Sequence, residues 1–198
     1  MKVIGLTGGT GSGKGVVSKC LEEAGAVVID ADFIGHEIIK KGNPAYCELV
    51  DYFGDQILQE DGEIFRRKLG EIVFSEKEKL EFLNRCTHKY IAQEILRKID
   101  MEQKLGCAKL IVIDAPLLIE VGFDKICDVV WVVYADEEVR ANRVMQRDGI
   151  TYEMAKARIG NQKSWEEYKR HAVEVLDNST TVADIRNQAE LLFNKYRA

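Results

Sequence analysis

The chain has 198 residues, 46% hydrophobic and 31% charged, with a formal net charge of -5. This length suits one domain of ordinary size, with room for a small inserted lobe and a core that needs no disulfides. The composition is that of a folded globular chain, and its acidic balance excludes a general nucleic-acid binder. The five cysteines are scattered without a C-x-x-C pair, which reads as reduced, mostly buried thiols. No apolar run approaches a membrane span, and Met1-Lys2 runs directly into the first strand without a signal pattern. The expectation is a cytoplasmic protein with no membrane partner.

Val3-Ile4-Gly5-Leu6 predicts a buried strand. It leads into Gly8-Gly9-Thr10-Gly11-Ser12-Gly13-Lys14-Gly15 and then a helical pattern from Val16 to Ala24. Strand, glycine-rich turn and helix form the setting that a phosphate-binding P-loop requires. Glycines let successive backbone N–H groups converge on an anion, the helix N-terminus adds partial positive charge, and Lys14 reaches the outer phosphates. The next position ordinarily carries a Ser or Thr hydroxyl that ligates Mg²⁺. Here it is Gly15.

Ala26-Val27-Val28-Ile29 predicts a second strand, ending in Asp30-Ala31-Asp32. Ligands of open parallel sheets gather at the carboxyl ends of strands. Provided the strand continues that far, Asp30 and Asp32 face the same side. One is then expected to cap the following helix, and Asp32 is the better candidate for a general base or metal-water ligand. Residues 33 to about 105 are mostly helical by pattern. Asn43-Pro44 starts one helix, Asp61-Gly62 turns before Ile64, and the next segment carries Arg66 and Arg67. Glu76 to Leu105 predicts a long helix, with Ser75 as N-cap and Gly106 as stop. The block exceeds what a crossover needs, so it is expected to form a separate lobe. His88 lies within it and serves there either in packing or in binding.

Leu110-Ile111-Val112-Ile113-Asp114 predicts a buried strand whose terminal carboxylate lies beside the P-loop, where Mg²⁺ is held directly or through water. Asp128 to Ala135 predicts a fourth strand. The helical stretch Glu137 to Arg147 places Arg140, Arg143 and Arg147 on one face, an arrangement suited to a lid that closes on phosphates. Asp148-Gly149 is a turn, Thr151 caps a helix carrying Arg158 towards Gln162, and Ala172 to Leu176 predicts a fifth strand ending in Asp177-Asn178. A last helix begins near Val182.

The series of motifs resembles the dephospho-coenzyme A kinases across nearly the whole chain. The resemblance rests on Ile4 to Lys14, Asp30-Ala31-Asp32, Leu69 to Phe74, Thr87-His88, Pro116 to Glu120, Arg143 to Asp148, Arg158 to Gln162 and Asn178-Ser179. It implies an α/β fold of the P-loop nucleotide-kinase type: a five-stranded parallel sheet flanked by helices, with a helical substrate lobe and a lid. The expected division is a core of about 1–32, 107–136 and 172–198, a lobe of about 33–106 and a lid of about 137–171. The implied activity is ATP-dependent phosphorylation of the ribose 3′-hydroxyl of dephospho-CoA, with Mg²⁺, by a monomer or weak homo-oligomer.

Carried over by position, the resemblance implies that Gly9, Thr10, Gly11, Ser12, Gly13, Lys14, Gly15, Val16 and Asn178 contact ATP. Lys14, Asp32, Arg143 and Arg147 are the implied catalytic residues. Asp32, Arg66, His88 and Leu117 are implied on the acceptor, and Asp32 and Asp114 at the metal. The chain departs from the family pattern at Gly15 (Ser), Val16 (often Thr), Phe65 (an acid), Lys89 (Pro) and Val173 (Asp). Two other readings stay open: a kinase for another small nucleotide or nucleoside, and a nucleotide-binding module with a metal site weakened by Gly15.

Overall fold

The computed structural model describes residues 1–197. In chain order the elements are β1 (Lys2–Thr7), α1 (Lys14–Glu23), β2 (Val27–Asp30), α2 (Ala31–Glu37), α3 (Pro44–Phe53), α4 (Arg66–Ser75) and α5 (Lys77–Leu105). They continue with β3 (Leu110–Asp114), β4 (Val129–Tyr134), α6 (Glu137–Asp148), α7 (Tyr152–Gly160), α8 (Trp165–His171), β5 (Glu174–Asp177) and α9 (Val182–Tyr196). The chain divides into two compact units, one of Met1–Ile29 with the stretch from Met101 onward, the other Asp30–Asp100.

In the first unit a five-stranded sheet runs in the order β2-β3-β1-β4-β5. The central strand β1 pairs in parallel with β3 and β4, and β4 with β5. Strands covered on both faces read as near-continuous apolar runs, which is why β1, β3 and β4 were legible. The register sets Leu6 opposite Asp114 and Trp131, so β1 and β3 end close together where the glycine-rich loop begins, and β4 runs two residues past the end of β1. Ile4, Leu6, Val112, Trp131 and Val133 pack with Val17 and Leu21 of α1 and with Ile185, Ala189 and Phe193 of α9. Burying each large apolar side chain contributes about 1.5–3 kcal/mol, so this cluster anchors the helix that begins at the loop. A smaller cluster of Ala141, Val144, Ala155 and Ile159 joins α6 to α7.

The second unit is helical around Ala45, Leu49, Phe53, Ile57, Ile64, Leu69, Val73 and Cys86. Tyr52 stacks on Phe82 at 3.7 Å between ring centroids. The Asp61-Gly62 turn is present, with Leu58 and Ile64 bridged antiparallel across it. Among the described residues no helix is long and apolar enough to cross a membrane.

Several local expectations are corrected. The strand β2 ends at Asp30, whose carboxylate accepts from the Phe33 N–H at 2.9 Å and caps α2. Asp32 therefore lies in the first turn of a helix, and the strand argument that aimed it with Asp30 fails. Ser75 is the last residue of α4, not the cap of α5; its hydroxyl donates back to the Ile72 carbonyl at 2.8 Å. The helix α1 begins at Lys14, two residues early, because the loop feeds straight into it, while β5 begins only at Glu174. The thiols are divided: Cys20 and Cys86 are buried, Cys47 and Cys107 exposed.

Candidate active site

The loop from Gly8 to Gly13 is held from outside, carbonyl by carbonyl. Arg140 Nε donates to the Thr10 carbonyl at 2.9 Å, Arg143 Nη1 to that of Gly11 at 3.4 Å, and Asn178 Nδ2 to that of Ser12 at 2.7 Å. Successive carbonyls tied outwards leave the opposite side of the loop to N–H groups other than those of Thr10 and Ser12, which are bonded within the protein, the pattern of an anion-binding concavity. Gly13 has φ +85°, and a Cβ there would collide with Asn178 Nδ2. Only glycine gives the chain both that turn and that approach. Asn178, 3% exposed, is positioned by β5, its own N–H donating to Tyr134 at 2.8 Å. The buried Ser12 hydroxyl, which lies against Gly8, has no hydrogen-bond partner among the described residues.

At the start of α1 the Lys14 ammonium is ion-paired with Asp114 Oδ1. The second oxygen of Asp114 accepts from the buried Ser18 hydroxyl at 2.6 Å. Both oxygens of the 8% exposed carboxylate are thereby satisfied, and the lysine is poised beside the loop. Ser18 went unremarked in the sequence, although a residue four after Lys14 lies on the same helix face. Gly15 is exposed and a Cβ there meets nothing within 4 Å. The position lacks a hydroxyl for no steric reason.

Comparison with known proteins fits this geometry. A family model described as dephospho-CoA kinase matches residues 2–184. A dephospho-CoA kinase of Carboxydothermus hydrogenoformans is 43% identical over 100% of this chain and 95% of its own length. The chain belongs to the dephospho-CoA kinase family. A Lactobacillus johnsonii dephospho-CoA kinase is 40% identical over 93% of each chain. Among solved structures, the dephospho-CoA kinase from Campylobacter jejuni superposes with a TM-score of 0.74 at 29% identity, covering 98% of this chain and 96% of that one. A shikimate kinase from Acinetobacter baumannii, TM-score 0.56 at 16% identity over 98% and 92% of the two chains, shares the fold alone.

Within this kinase-family framework the three arginines of α6 do not act as one face. Arg140 and Arg143 turn onto the loop, Arg143 Nη2 also donating to the Asn178 carbonyl at 2.9 Å. Arg147 instead lies on Asp148, with Nε–Oδ1 at 2.7 Å, and Arg158 joins the same carboxylate at 2.6 Å. The hydrogen bond from Arg147, reinforced by both positive charges, lowers the Asp148 pKa from its ordinary value. By helix period Arg147 lies within about 20° of Arg140; the adjacent Asp148 carboxylate, not the helix face, takes its guanidinium away from the loop.

The remaining candidates are placed as follows. Leu117, 53% exposed, follows β3 in the first unit, while its neighbour Leu118 is fully buried. Val16 is partly buried against the sheet core. Asp32, Arg66 and His88 all belong to the helical unit. Arg66 opens α4, followed by Arg67 and Lys68, with no acid in the first turn. Three cations at the positive end of a helix dipole oppose the local field, an arrangement that an anion relieves. His88 is partly buried on α5, and burial lowers its pKa. Among the described residues no group of three or more His, Cys, Asp or Glu side chains could hold a metal by itself.

Proposed function

We propose that this protein transfers the terminal phosphoryl group of ATP to the ribose 3′-hydroxyl of dephospho-CoA, forming CoA, the last step of coenzyme A synthesis. The carrying observation is the phosphate cradle with Lys14 held on Asp114, in a chain matched along 2–184 by the dephospho-CoA kinase family. Phosphoryl transfer needs positioning and charge neutralisation more than covalent chemistry, and these residues suit that task.

In this reading the segment from Gly9 to Val16 surrounds the ATP phosphates. Lys14 leaves Asp114 for the transferring group as the phosphates arrive, and Asn178 keeps the Ser12 carbonyl out of the way. Arg143 and Arg147 remain the candidate lid cations, Arg147 requiring release from Asp148. Asp32, two residues past the carboxyl end of β2, orients or deprotonates the acceptor hydroxyl. Arg66, His88 and Leu117 hold the acceptor, with the cationic start of α4 suited to its phosphates. Residues 33–106 form the acceptor lobe, 137–171 the lid, and the rest the core.

Mg²⁺ bound mainly by phosphates and water needs only one or two protein carboxylates. Asp114 beside the loop fits that requirement, with Asp32 acting through water, and the bound ion would offset charge on the phosphates. Gly15 supplies no side-chain ligand, and a water would take that position on a bound ion. The test is ATP-dependent conversion of dephospho-CoA to CoA, followed by product mass and ADP release across a Mg²⁺ titration. Phosphorylation on the 3′-hydroxyl is expected; ATP binding without turnover of dephospho-CoA would sink the assignment.

A further inference from the structure

Gln162 lies in the turn between α7 and α8. Its Oε1 accepts from the Thr10 backbone N–H at 2.7 Å and from Arg140 Nη2 at 3.1 Å. Arg140 Nε donates to the Thr10 carbonyl at 2.9 Å. These contacts close a ring: the N–H and C=O of Thr10 are held by two side chains, 152 and 130 positions away, that also bond each other. A Cβ at Gly9 would run into the Arg140 guanidinium, so the loop is cut to admit this clamp.

Arg140 is half-buried and has no ion pair among the described residues; its bonds go to the neutral oxygens of Thr10 and Gln162. Burial pulls its pKa below the ordinary value. A desolvated guanidinium without a carboxylate depends strongly on the acceptors it has. Gln162 Oε1 is one of these, and it satisfies the loop amide as well. Removing it orphans two donors together.

We propose that Gln162 is a positioning residue that, through Arg140, fixes the apex of the phosphate loop before nucleotide arrives. The proposal rests on reading this loop as the ATP site. A loop ordered in advance does not spend binding free energy on its own ordering. Gln162 acts through Thr10 and Arg140, so its effect falls on ATP affinity and not on the transfer step.

The experiment compares Gln162→Leu, which removes the acceptor at similar volume, with Gln162→Glu, which keeps it. The leucine variant is expected to raise the KM for ATP about tenfold with kcat changed less than about threefold. In the nucleotide-free protein its Thr10 amide should exchange at least about tenfold faster. The glutamate variant should stay within about threefold of the parent in Thr10 exchange and kcat, its added negative charge beside the phosphates acting on the KM for ATP alone. Unchanged Thr10 exchange in the leucine variant, or a lower kcat at constant KM, overturns the proposal. Thermal melting controls for folding, and Gln162→Ala replaces the leucine variant should the apolar side chain disturb packing. A parent that fails to phosphorylate dephospho-CoA defeats the functional reading alone; Thr10 exchange and calorimetric ATP affinity then still decide the role of Gln162.

Discussion

The phosphate loop and the helical unit are stabilised in opposite ways. Around the loop, each of three successive carbonyls is met by a side chain more than 100 residues distant in sequence. In the helical unit the apolar cluster carries the packing, and many surface charges pair locally, as Arg67 with Glu71, Lys79 with Glu76 and Arg97 with Glu94. Exposed pairs of that kind contribute about 0–1 kcal/mol each, so they fix little. The difference teaches where geometry matters. A cradle for a small, highly charged group has to be fixed to fractions of an ångström, whereas the helical unit, in its proposed role as acceptor lobe, would need only a surface with suitable charge.

The largest expected effect tests the loop side. Lys14→Met should lower kcat by at least about 10³-fold, because the lost cation acts on transition-state charge, and should also lower the melting temperature by leaving the Asp114 carboxylate without its partner. A variant retaining more than a tenth of parental kcat would show that the lysine seen on Asp114 is merely a structural pair. Next in size is Gly15→Ser. Open space at this position accepts the side chain, and a restored metal ligand worth roughly 1.4–2.8 kcal/mol should raise kcat/KM by about one to two orders of magnitude. Saturation at lower Mg²⁺ is the accompanying sign, and an unaltered Mg²⁺ dependence would count against it.

A smaller effect belongs to the helical unit. Arg66→Ala should raise the KM for dephospho-CoA about tenfold while leaving that for ATP alone, as expected of one charge-assisted contact. Equal changes in both constants would break the division of labour between the two regions. The smallest effect is a pH dependence. Burial depresses the His88 pKa below its ordinary 6.5, so the unfolded chain takes up the proton first as pH falls. The contribution is fully present above pH 6.5 and is lost as pH drops towards the folded value. Melting temperature between pH 7 and 5 should therefore fall more steeply in the parent than in His88→Asn; parallel curves would remove the histidine from this account.

How much was legible depended on the range of the interaction. Apolar runs ending in an acid or a glycine announced β1, β3 and β4, because strands buried on both faces have little freedom in composition. The cap of α7 by Thr151 was also readable, since its partner is the nearby Met154 N–H. The same local chemistry marks α8, where Ser164 and Glu167 form a reciprocal capping box. The helical position of Asp32 was not legible because the end of β2 is decided by Asp30, which turns from strand ladder to helix cap. The pairing of Arg147 with Asp148 was not legible because periodicity names a helix face but not the carboxylate beside it.

By itself the sequence determined the strand-loop-helix context of Gly8 to Lys14, the helical character of the region after β2 and the family to which the chain belongs. These follow from backbone permissiveness, hydrophobic period and motif order, all properties of near neighbours. The tertiary structure alone decided that Lys14 rests on Asp114, that Ser18 holds the other carboxylate oxygen, and that Arg140, Arg143, Asn178 and Gln162 grip the loop. Each of those contacts joins residues about a hundred or more positions apart, and only the strand order and register bring them within hydrogen-bond distance.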